Sequence, residues 1–182
     1  MILPKDIDEN TTLFLDRDGV INVRPIDSYV FTPNKFVFID GAKEAIAKLS
    51  KVFARIIVVT NQQGIGKNLM TLEAVNKVHH KLISEVEKIG GKIEMIYVAP
   101  ELKSDDSLMR KPNIGMGIQA QKDFPNIDFE NSVMVGDTES DMVFGKRLKM
   151  TTVIVGPDGL EILNQNHADC FFESLSAFSK IF

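Results

Sequence analysis

Short runs of apolar residues alternate along the chain with longer stretches in which apolar positions recur every three to four residues. The strongest runs cover residues 13–15, 55–60 and 132–136, and polar residues follow each of them at once. Such runs favour buried strands, whereas the longer period is typical of amphipathic helices. The alternation predicts an α/β fold with three layers, in which helices cover both faces of a doubly wound, Rossmann-like parallel sheet.

Residues that start and stop helices divide the chain further. Asp40 is expected to cap a helix that begins near Gly41, and Thr71 a second helix that ends at residues 90–91. The other predicted elements are an extended piece at residues 36–39, a strand at 92–98, a helix around Ile118, a helix at 140–148, a strand at 151–155 and one or two short helices in the tail.

Composition limits the classes of protein that the chain can be. With 182 residues, of which 44% are hydrophobic and 25% charged, residues 1–182 are expected to form a single domain with a substantial core. The net charge is -4, and Lys and Arg are scattered among acidic residues, which argues against a nucleic-acid-binding surface. Any affinity for phosphate is therefore expected to be local.

Two features bear on cellular location. Cys170 is the only cysteine, so no disulfide can form within the chain and a reducing compartment is favoured. Residues 1–9 carry acidic side chains where a signal peptide would have an apolar run, and no stretch approaches the length of a membrane span. We expect a cytoplasmic protein without a membrane partner, and the sequence does not indicate its oligomeric state.

The first strand runs directly into a pair of acidic residues. Asp16 and Asp18 lie at its end, and Gly19 permits a sharp turn of the backbone and close approach to an anion. Two neighbouring carboxylates repel each other unless a cation lies between them, so a bound metal ion is the natural partner. An Asp-rich turn that merely closes a strand would show the same local pattern.

Further polar side chains follow the other strong runs and a predicted loop. Thr60 ends the second strand, Lys111 follows Arg110 before a proline, and Asp137 follows the third run. Taken singly, Thr60, Lys111 and Asp137 could be a strand-end hydroxyl, a solvated loop cation and a helix cap. Because the carboxyl ends of parallel strands meet at one edge of a sheet, we expect all of them to converge in one crevice.

This ordered set resembles the four motifs of the haloacid dehalogenase (HAD) superfamily of phosphohydrolases. The motifs are Asp-x-Asp, Ser or Thr, Lys and a terminal acidic group, and residues 16–18, 60, 111 and 137 match them in that order. The resemblance covers roughly residues 13–155. It implies a Mg²⁺-dependent phosphomonoester hydrolase that acts through an aspartyl-phosphate intermediate.

The resemblance also implies a role for each matching residue. Asp16 would be the nucleophile, and Asp18, left free to carry a proton, would protonate the leaving oxygen and then activate water. Thr60 would donate to a phosphate oxygen, and Lys111 would pair with Asp16 and with the phosphate. Mg²⁺ would be bound by the Asp16 carboxylate, the Asp18 backbone carbonyl and the Asp137 carboxylate.

Shorter motifs narrow the resemblance to one branch of the superfamily. Residues 16–22, 29–30, 60–62 and 110–112 look like those of small phosphatases that act on D-glycero-D-manno-heptose 1,7-bisphosphate or on histidinol phosphate. In that branch the loop before the Arg-Lys-Pro motif usually carries Cys and His ligands for a structural zinc ion. Residues 99–109 contain neither residue type, so we expect no bound zinc.

Several residues near these motifs are expected to contact the substrate. By resemblance, Arg110 would meet groups beyond the transferred phosphate, because a planar guanidinium suits a second anion or sugar hydroxyls. Asn61, Gln62 and Thr138 are also expected to bind the substrate. The partner would be a small phosphorylated metabolite, with the heptose bisphosphate ahead of histidinol phosphate. Donors from a nearby loop could line the opening: Asn22, Arg24, Ser28 and Tyr29.

The lengths of two loops bear on how open the site is. Residues 19–40 and 99–112, where the superfamily inserts cap domains, are too short for an independent core, so a capless HAD core is expected. A protein of another class, a phospho-receiver or an inactive phosphate-binding module, could use a similar acidic pocket. Receivers place the phosphorylated Asp two strands after the acidic pair, whereas here the Asp pair comes first and Asp137 follows Lys111.

The remaining polar candidates are given no catalytic role. Asp141 could face the metal from the first turn of its helix, or it could simply cap that helix. His79, His80 and His167 have no partners at ligand spacing and are expected to be ordinary surface or core histidines.

Overall fold

The computed structural model describes residue 7 and residues 10–25, 28–165 and 167–182, so the expectation for residues 1–9 lies almost wholly outside the described residues. Within them, parallel strands form one sheet in the order β3-β2-β1-β4-β5-β6. The strands are β1 (Thr12–Leu15), β2 (Arg55–Asn61), β3 (Met95–Ala99), β4 (Val133–Gly136), β5 (Thr151–Val155) and β6 (Cys170–Phe172). The helices are α1 (Ala42–Leu49), α2 (Leu72–Glu87), α3 (Gly115–Asp123), α4 (Glu139–Arg147), α5 (Gly159–Asn164) and α6 (Leu175–Ser179).

Alternate side chains of the central strand β1 point to opposite faces of the sheet. Leu13 and Leu15 belong to the core under α1, α2 and α6, which also contains Ile46, Leu49, Val78, Leu82 and Phe178. Phe14 belongs to the core on the other face, which contains Met116, Ala120 and Phe144 of α3 and α4. Burial of both faces explains the continuous apolar runs, and the predicted three-layer, doubly wound α/β fold is confirmed.

Strand order places the site. The chain builds β2 and β3 on one side of β1 and then β4, β5 and β6 on the other, so the order reverses between β1 and β4. Leu15 of β1 pairs with Val58 of β2 and with Val135 of β4. Ligands of open α/β sheets bind at such a reversal, outside the carboxyl ends of the strands. Residues that follow these three strands therefore share one crevice.

The two predicted helix caps have different outcomes. The Thr71 side chain accepts a hydrogen bond from the Ala74 amide at 3.1 Å, so its predicted role at the start of α2 is confirmed. The cap at Asp40 is wrong, because the residue that precedes α1 is Gly41, which adopts a left-handed conformation with φ of 69°. That conformation suits a residue without Cβ, and here a Cβ would also lie 2.7 Å from the Ser176 hydroxyl. No helix among the described residues has the length and apolar character needed to cross a membrane.

Three strand predictions need correction. Of the extended piece predicted at residues 36–39, only Phe38 forms a bridge, an isolated one to Asn22, and a 3₁₀ turn (Pro33–Lys35) precedes it. The strand predicted at 92–98 is β3, which begins later, where it pairs with Ile57 of β2. The tail predicted as helices alone also contains β6, which extends the edge of the sheet by pairing with Val153 of β5 and the residues after it.

Candidate active site

A buried ion-pair network lies at the floor of the crevice. The Lys111 ammonium group donates to Asp16 Oδ1 at 2.8 Å and to the Val59 carbonyl at 2.6 Å, and it forms an ion pair with Asp141 Oδ1 at 2.6 Å. Burial alone would lower the pKa of Lys111, but the carboxylates of Asp141 and Asp16 raise it above its ordinary value. Lys111 therefore stays charged, and its position is fixed by strands and a helix from three parts of the chain.

Asp18 does not point at Lys111. Its carboxylate accepts from Arg17 Nη2 at 2.9 and 2.8 Å, from Asn22 Nδ2 at 2.8 Å and from Gln62 Nε2 at 2.8 Å. Burial would raise the pKa of Asp18, but the Arg17 charge and these donors lower it below its ordinary value. Three side chains thus stabilise the ionised form of Asp18 in these contacts, and its role as a proton carrier stays a prediction.

Arg17 is itself fully buried and has a partner on α2. Its Nη1 lies 2.9 Å from His79 Nε2. Arginine can only donate, so this ring nitrogen is the acceptor and the imidazole is neutral. Burial and the adjacent Arg17 charge lower the pKa of His79 to about 3. His79 is thus a core histidine, one of the two places expected for it, and it supports the guanidinium group that holds Asp18.

Carboxylate oxygens from three elements surround a point beside Asp16. Ligand oxygens of Asp16, Asp137 and Asp141 lie within 4.8 Å of one another. Burial, together with repulsion among these carboxylates, raises the pKa of Asp16 to about 6 and that of Asp137 to about 7. A cluster of hard oxygen donors that repel one another fits a divalent cation such as Mg²⁺. Gly19 leaves room for the cluster, since a Cβ there would lie 1.9 Å from Asp137 Oδ2.

Arg24, from the loop after β1, reaches this same point. Its Nη2 lies 2.8 Å from the Asp18 backbone carbonyl, 2.8 and 2.9 Å from the two Asp137 oxygens and 3.8 Å from Asp16 Oδ2. The oxygens that the sequence suggested as metal ligands are thus brought together around a single guanidinium nitrogen. The Arg24 side chain is 50% exposed, so its outer face is open to solvent.

Residues at the end of β2 organise the same edge. Gln62 Nε2 donates to the Thr60 hydroxyl at 2.8 Å, which leaves the hydroxyl proton available to another acceptor. Asn61 Nδ2 donates to the Lys111 carbonyl and Asn61 Oδ1 accepts from the Lys111 amide, both at 3.0 Å. The side chains of Asn61 and Gln62 therefore hold Lys111, Thr60 and Asp18 in place.

A cavity of about 590 Å³ opens above these groups. Its walls carry basic side chains, and the cavity is lined among others by Arg24, Tyr29, Lys67, Arg110, Lys111 and Thr138. Arg110 Nη1 donates to the Glu101 carbonyl at 3.2 Å, while Lys67 lies 5.9 Å from the ring of Tyr29. Burial lowers the pKa of Arg110, but the group remains cationic at neutral pH. The cavity thus combines an acidic floor with cationic walls.

Thr138 and Asp141 are linked at the start of α4. Asp141 Oδ2 accepts from the Thr138 amide at 3.1 Å and from its hydroxyl at 2.6 Å. Of the two alternatives raised for Asp141, the helix cap is confirmed, because its Oδ2 accepts from the Thr138 amide at the start of α4. Its other oxygen, Oδ1, lies 2.6 Å from Lys111 Nζ, and the metal contact stays a prediction. The Thr138 hydroxyl is thereby held beside the cavity, next to the predicted substrate position.

Sequence reasoning underestimated three residues of the site. Arg24 was placed only at the opening, Arg17 was not considered and His79 was set aside. A signal for His79 was available, because it lies on the buried face of α2 with Val75 and Leu82, where an ordinary histidine needs a partner.

The fold, the crevice where the strand order reverses between β1 and β4, and the ordered motifs define the class of the protein. It is a phosphatase of the HAD superfamily. More narrowly, the chain belongs to the polynucleotide kinase 3 phosphatase family, whose model matches residues 6–167.

Individual relatives are phosphatases of sugar bisphosphates. The chain is 36% identical over 154 residues to D-glycero-alpha-D-manno-heptose-1,7-bisphosphate 7-phosphatase of Burkholderia mallei, covering 81% of this chain and 80% of that protein. It is 35% identical over 163 residues to the corresponding beta-anomer phosphatase of Vibrio cholerae, covering 86% of each. The crystal structure of D,D-heptose 1,7-bisphosphate phosphatase from B. bronchiseptica, complexed with magnesium and phosphate, matches with a TM-score of 0.85 and 26% identity over 94% of this chain and 97% of that one.

Proposed function

We propose that the protein is a Mg²⁺-dependent phosphatase that removes the 7-phosphate of a D-glycero-D-manno-heptose 1,7-bisphosphate. The observation that carries the proposal is the buried contact between Lys111 and Asp16, beside a cluster of carboxylates at the switch point of the sheet. Relatives that share about a third of their residues with this chain, along most of their length, act on that substrate class. A phospho-receiver is disfavoured because the comparisons point to phosphatases.

Asp16 is the proposed nucleophile. Lys111 donates to Asp16 Oδ1 and so orients the carboxylate, one oxygen of which attacks phosphorus as the bond to the leaving oxygen breaks. The same ammonium group lies where it can neutralise charge on the phosphoryl oxygens, and the Thr60 hydroxyl can donate to them. Contacts with Asp141 and the Val59 carbonyl hold the charged Lys111 side chain in its buried position and keep it from turning toward solvent.

Asp18 is the proposed acid and base. In its present contacts the carboxylate is stabilised as an anion, which suits the step in which it takes a proton from water. To protonate the leaving oxygen it must first gain a proton, and the negative charge of an arriving phosphate favours that gain. The hydrogen bonds from Asn22 and Gln62 can break when Asp18 gains the proton, while the buried Arg17 keeps the carboxyl group oriented.

Mg²⁺ is the proposed cofactor, held by the carboxylates of Asp16 and Asp137 and by the Asp18 carbonyl. When bound, it would offset charge on the phosphoryl oxygens. Gly19 follows the Asp18 carbonyl directly, and its lack of a Cβ leaves the Asp137 carboxylate room beside it.

The cavity supports a small, highly charged sugar phosphate as substrate. Its volume is within the range of small-ligand sites, and Lys67 and Arg110 can meet a second phosphate or sugar hydroxyls away from Asp16. A site built from such donors rejects ligands that leave them unpaired. Asn61, Gln62 and Thr138 are proposed to act at the inner end, mainly by holding the groups that touch the transferred phosphate.

A metabolite panel tests the proposal. Phosphate release with Mg²⁺ would be measured for both heptose bisphosphate anomers, histidinol phosphate, common sugar monophosphates and nucleotides. We expect one heptose bisphosphate anomer to be preferred by orders of magnitude, and the preference to be lost in Arg110→Ala. Lys122→Ala, which removes an exposed cation of α3, is the matched control. Best turnover on histidinol phosphate, or indifference to Arg110, would contradict the proposed substrate.

Three broader expectations stay predictions. A single domain over residues 1–182 is supported by one sheet that takes strands from Thr12 to Phe172. A cytoplasmic location is supported by the chain's single cysteine, and a small metabolite as partner, without nucleic acid or membrane, by the net charge of -4 and its scattered basic residues.

A further inference from the structure

Arg24 binds the oxygens that the proposed function assigns to the metal ion. Its Nη2 donates to the Asp18 carbonyl at 2.8 Å and to both Asp137 oxygens, and its Nε lies 3.3 Å from Asp137 Oδ2. Asp16 Oδ2, the oxygen not bound by Lys111, is 3.8 Å from the same nitrogen. A single positive group of this chain is thus in contact with each of the three residues expected to bind Mg²⁺.

A guanidinium group and a divalent cation cannot use these oxygens together. Mg²⁺ prefers oxygens at about 2.0–2.1 Å in a near-octahedral arrangement, so an ion held by these oxygens would need the space beside them that the Arg24 guanidinium group fills. Arginine does not lose its proton at working pH, so the competition cannot be relieved by deprotonation. The metal ion can therefore bind only if the Arg24 side chain moves away. Such movement is possible because Arg24 is half exposed and extends from a loop.

We propose that Arg24 is an intramolecular competitor of the divalent cation, which binds the Asp18 and Asp137 oxygens until the cation displaces it. The displaced guanidinium group remains at the wall of the cavity, where an anionic group of the substrate can accept its hydrogen bonds. Arg24 thereby couples the two binding events, since the cation releases a donor that the substrate then satisfies. This inference rests on the proposed function, because it concerns the same metal site.

The burial of the partners explains why such a competitor is useful. Asp16 and Asp137 are largely buried and repel each other, so the cluster needs a positive charge whenever no metal ion is bound. A permanently buried arginine would exclude the metal ion, whereas a half-exposed one costs little to displace. The other two cations in contact with the acidic residues, Arg17 and Lys111, are buried and so cannot act as displaceable competitors of the metal ion.

Metal affinity measured without substrate tests the inference. Isothermal titration calorimetry would give the Mg²⁺ dissociation constant of the wild type, Arg24→Gln, Arg24→Lys and Lys35→Gln. Arg24→Gln removes the charge but keeps a polar chain, and we expect it to bind Mg²⁺ about tenfold more tightly, the order of magnitude for the loss of one charged hydrogen-bonded contact. Arg24→Lys should lie closer to the wild type. Lys35→Gln removes an exposed charge from the 3₁₀ turn (Pro33–Lys35) and should change nothing.

Thermal unfolding supplies a second readout. In the presence of a chelator, Arg24→Gln should unfold at a lower temperature than the wild type, because the carboxylates then lack a counter-charge. Saturating Mg²⁺ should remove the difference. If the wild type turns over the heptose bisphosphate but Arg24→Gln binds Mg²⁺ no more tightly than the wild type, the inference is overturned and the proposed function is not. Absence of both Mg²⁺ binding and turnover in every variant would overturn the proposed function and the inference with it.

Discussion

His79 makes the stability of this protein depend on pH in a way that one substitution can isolate. Its imidazole is buried, accepts a hydrogen bond from Arg17 at 2.9 Å and has a pKa lowered from 6.5 to about 3 by burial and the Arg17 charge. His79→Gln keeps an acceptor at that place, because the Gln carbonyl can receive the same hydrogen bond. The variant differs from the wild type chiefly in having no group to titrate.

The size of the effect follows from proton linkage. Well above pH 6.5 the imidazole is neutral in the folded and the unfolded chain, so it adds no pH dependence there. As the pH falls below 6.5, the unfolded chain gains a proton that the folded protein cannot take up until about pH 3, so the contribution of His79 to stability is progressively lost. At about pH 5 the loss is about 2 kcal/mol, and it would be nearly the same if the folded pKa were about 4.

Urea denaturation of both proteins at about pH 7.5 and about pH 5 is the measurement. We expect the free energy of unfolding of the wild type to fall by about 2 kcal/mol more than that of His79→Gln. The raised pKa values of Asp16 and Asp137 act in the opposite direction, since these groups favour the folded state as the pH falls, but they are present in both proteins and largely cancel. Equal pH dependence in the two proteins would refute a buried neutral His79.

Four other outcomes are expected. Asp16→Asn should abolish turnover with little change in thermal unfolding, because Lys111 keeps its contact with Asp141; near-normal turnover would sink the mechanism. Asp18→Asn should reduce turnover roughly a hundredfold or more, and a mild loss would mean that another acid serves. Gly19→Ala should weaken Mg²⁺ binding in calorimetry, since φ there is 94° and the Cβ would overlap Asp137; unchanged affinity would show that the turn adapts. Elemental analysis should find no stoichiometric zinc, and one tightly held zinc ion per chain would contradict this.

The fold was predictable because its strands are buried on both faces. Runs such as residues 56–59 have no polar residue to interrupt them, and Thr71 marks a helix start by a side chain that bonds the backbone locally. The prediction at Asp40 was wrong because aspartate is a common helix cap, whereas here the next residue, Gly41, precedes the helix in a left-handed conformation. The strand β6 (Cys170–Phe172) has too few residues for any periodicity, and its pairing with β5 depends on the finished sheet.

The motif residues of the site were predictable for a different reason. Asp16 and Asp137 each follow a strong strand, so the rule for carboxyl ends of parallel strands brings them together without knowledge of any side chain. Arg17, Arg24 and His79 could not be placed that way. Their contacts depend on which way a loop folds and on which face of α2 meets β1, and both are decided by packing of distant segments.

The charges of the site explain why these three residues matter together. The acidic side chains are Asp16, Asp18, Asp137 and Asp141, and the basic ones in contact with them are Arg17, Arg24 and Lys111. The site therefore has one more acidic than basic side chain, and this excess of negative charge contributes to the raised pKa values of Asp16 and Asp137. Replacement of the Arg24 guanidinium by a divalent cation would bring the charges into balance and let both carboxyls ionise. It would also free one guanidinium group for the substrate, so the charge that a phosphate brings would meet a cation that was already in the site.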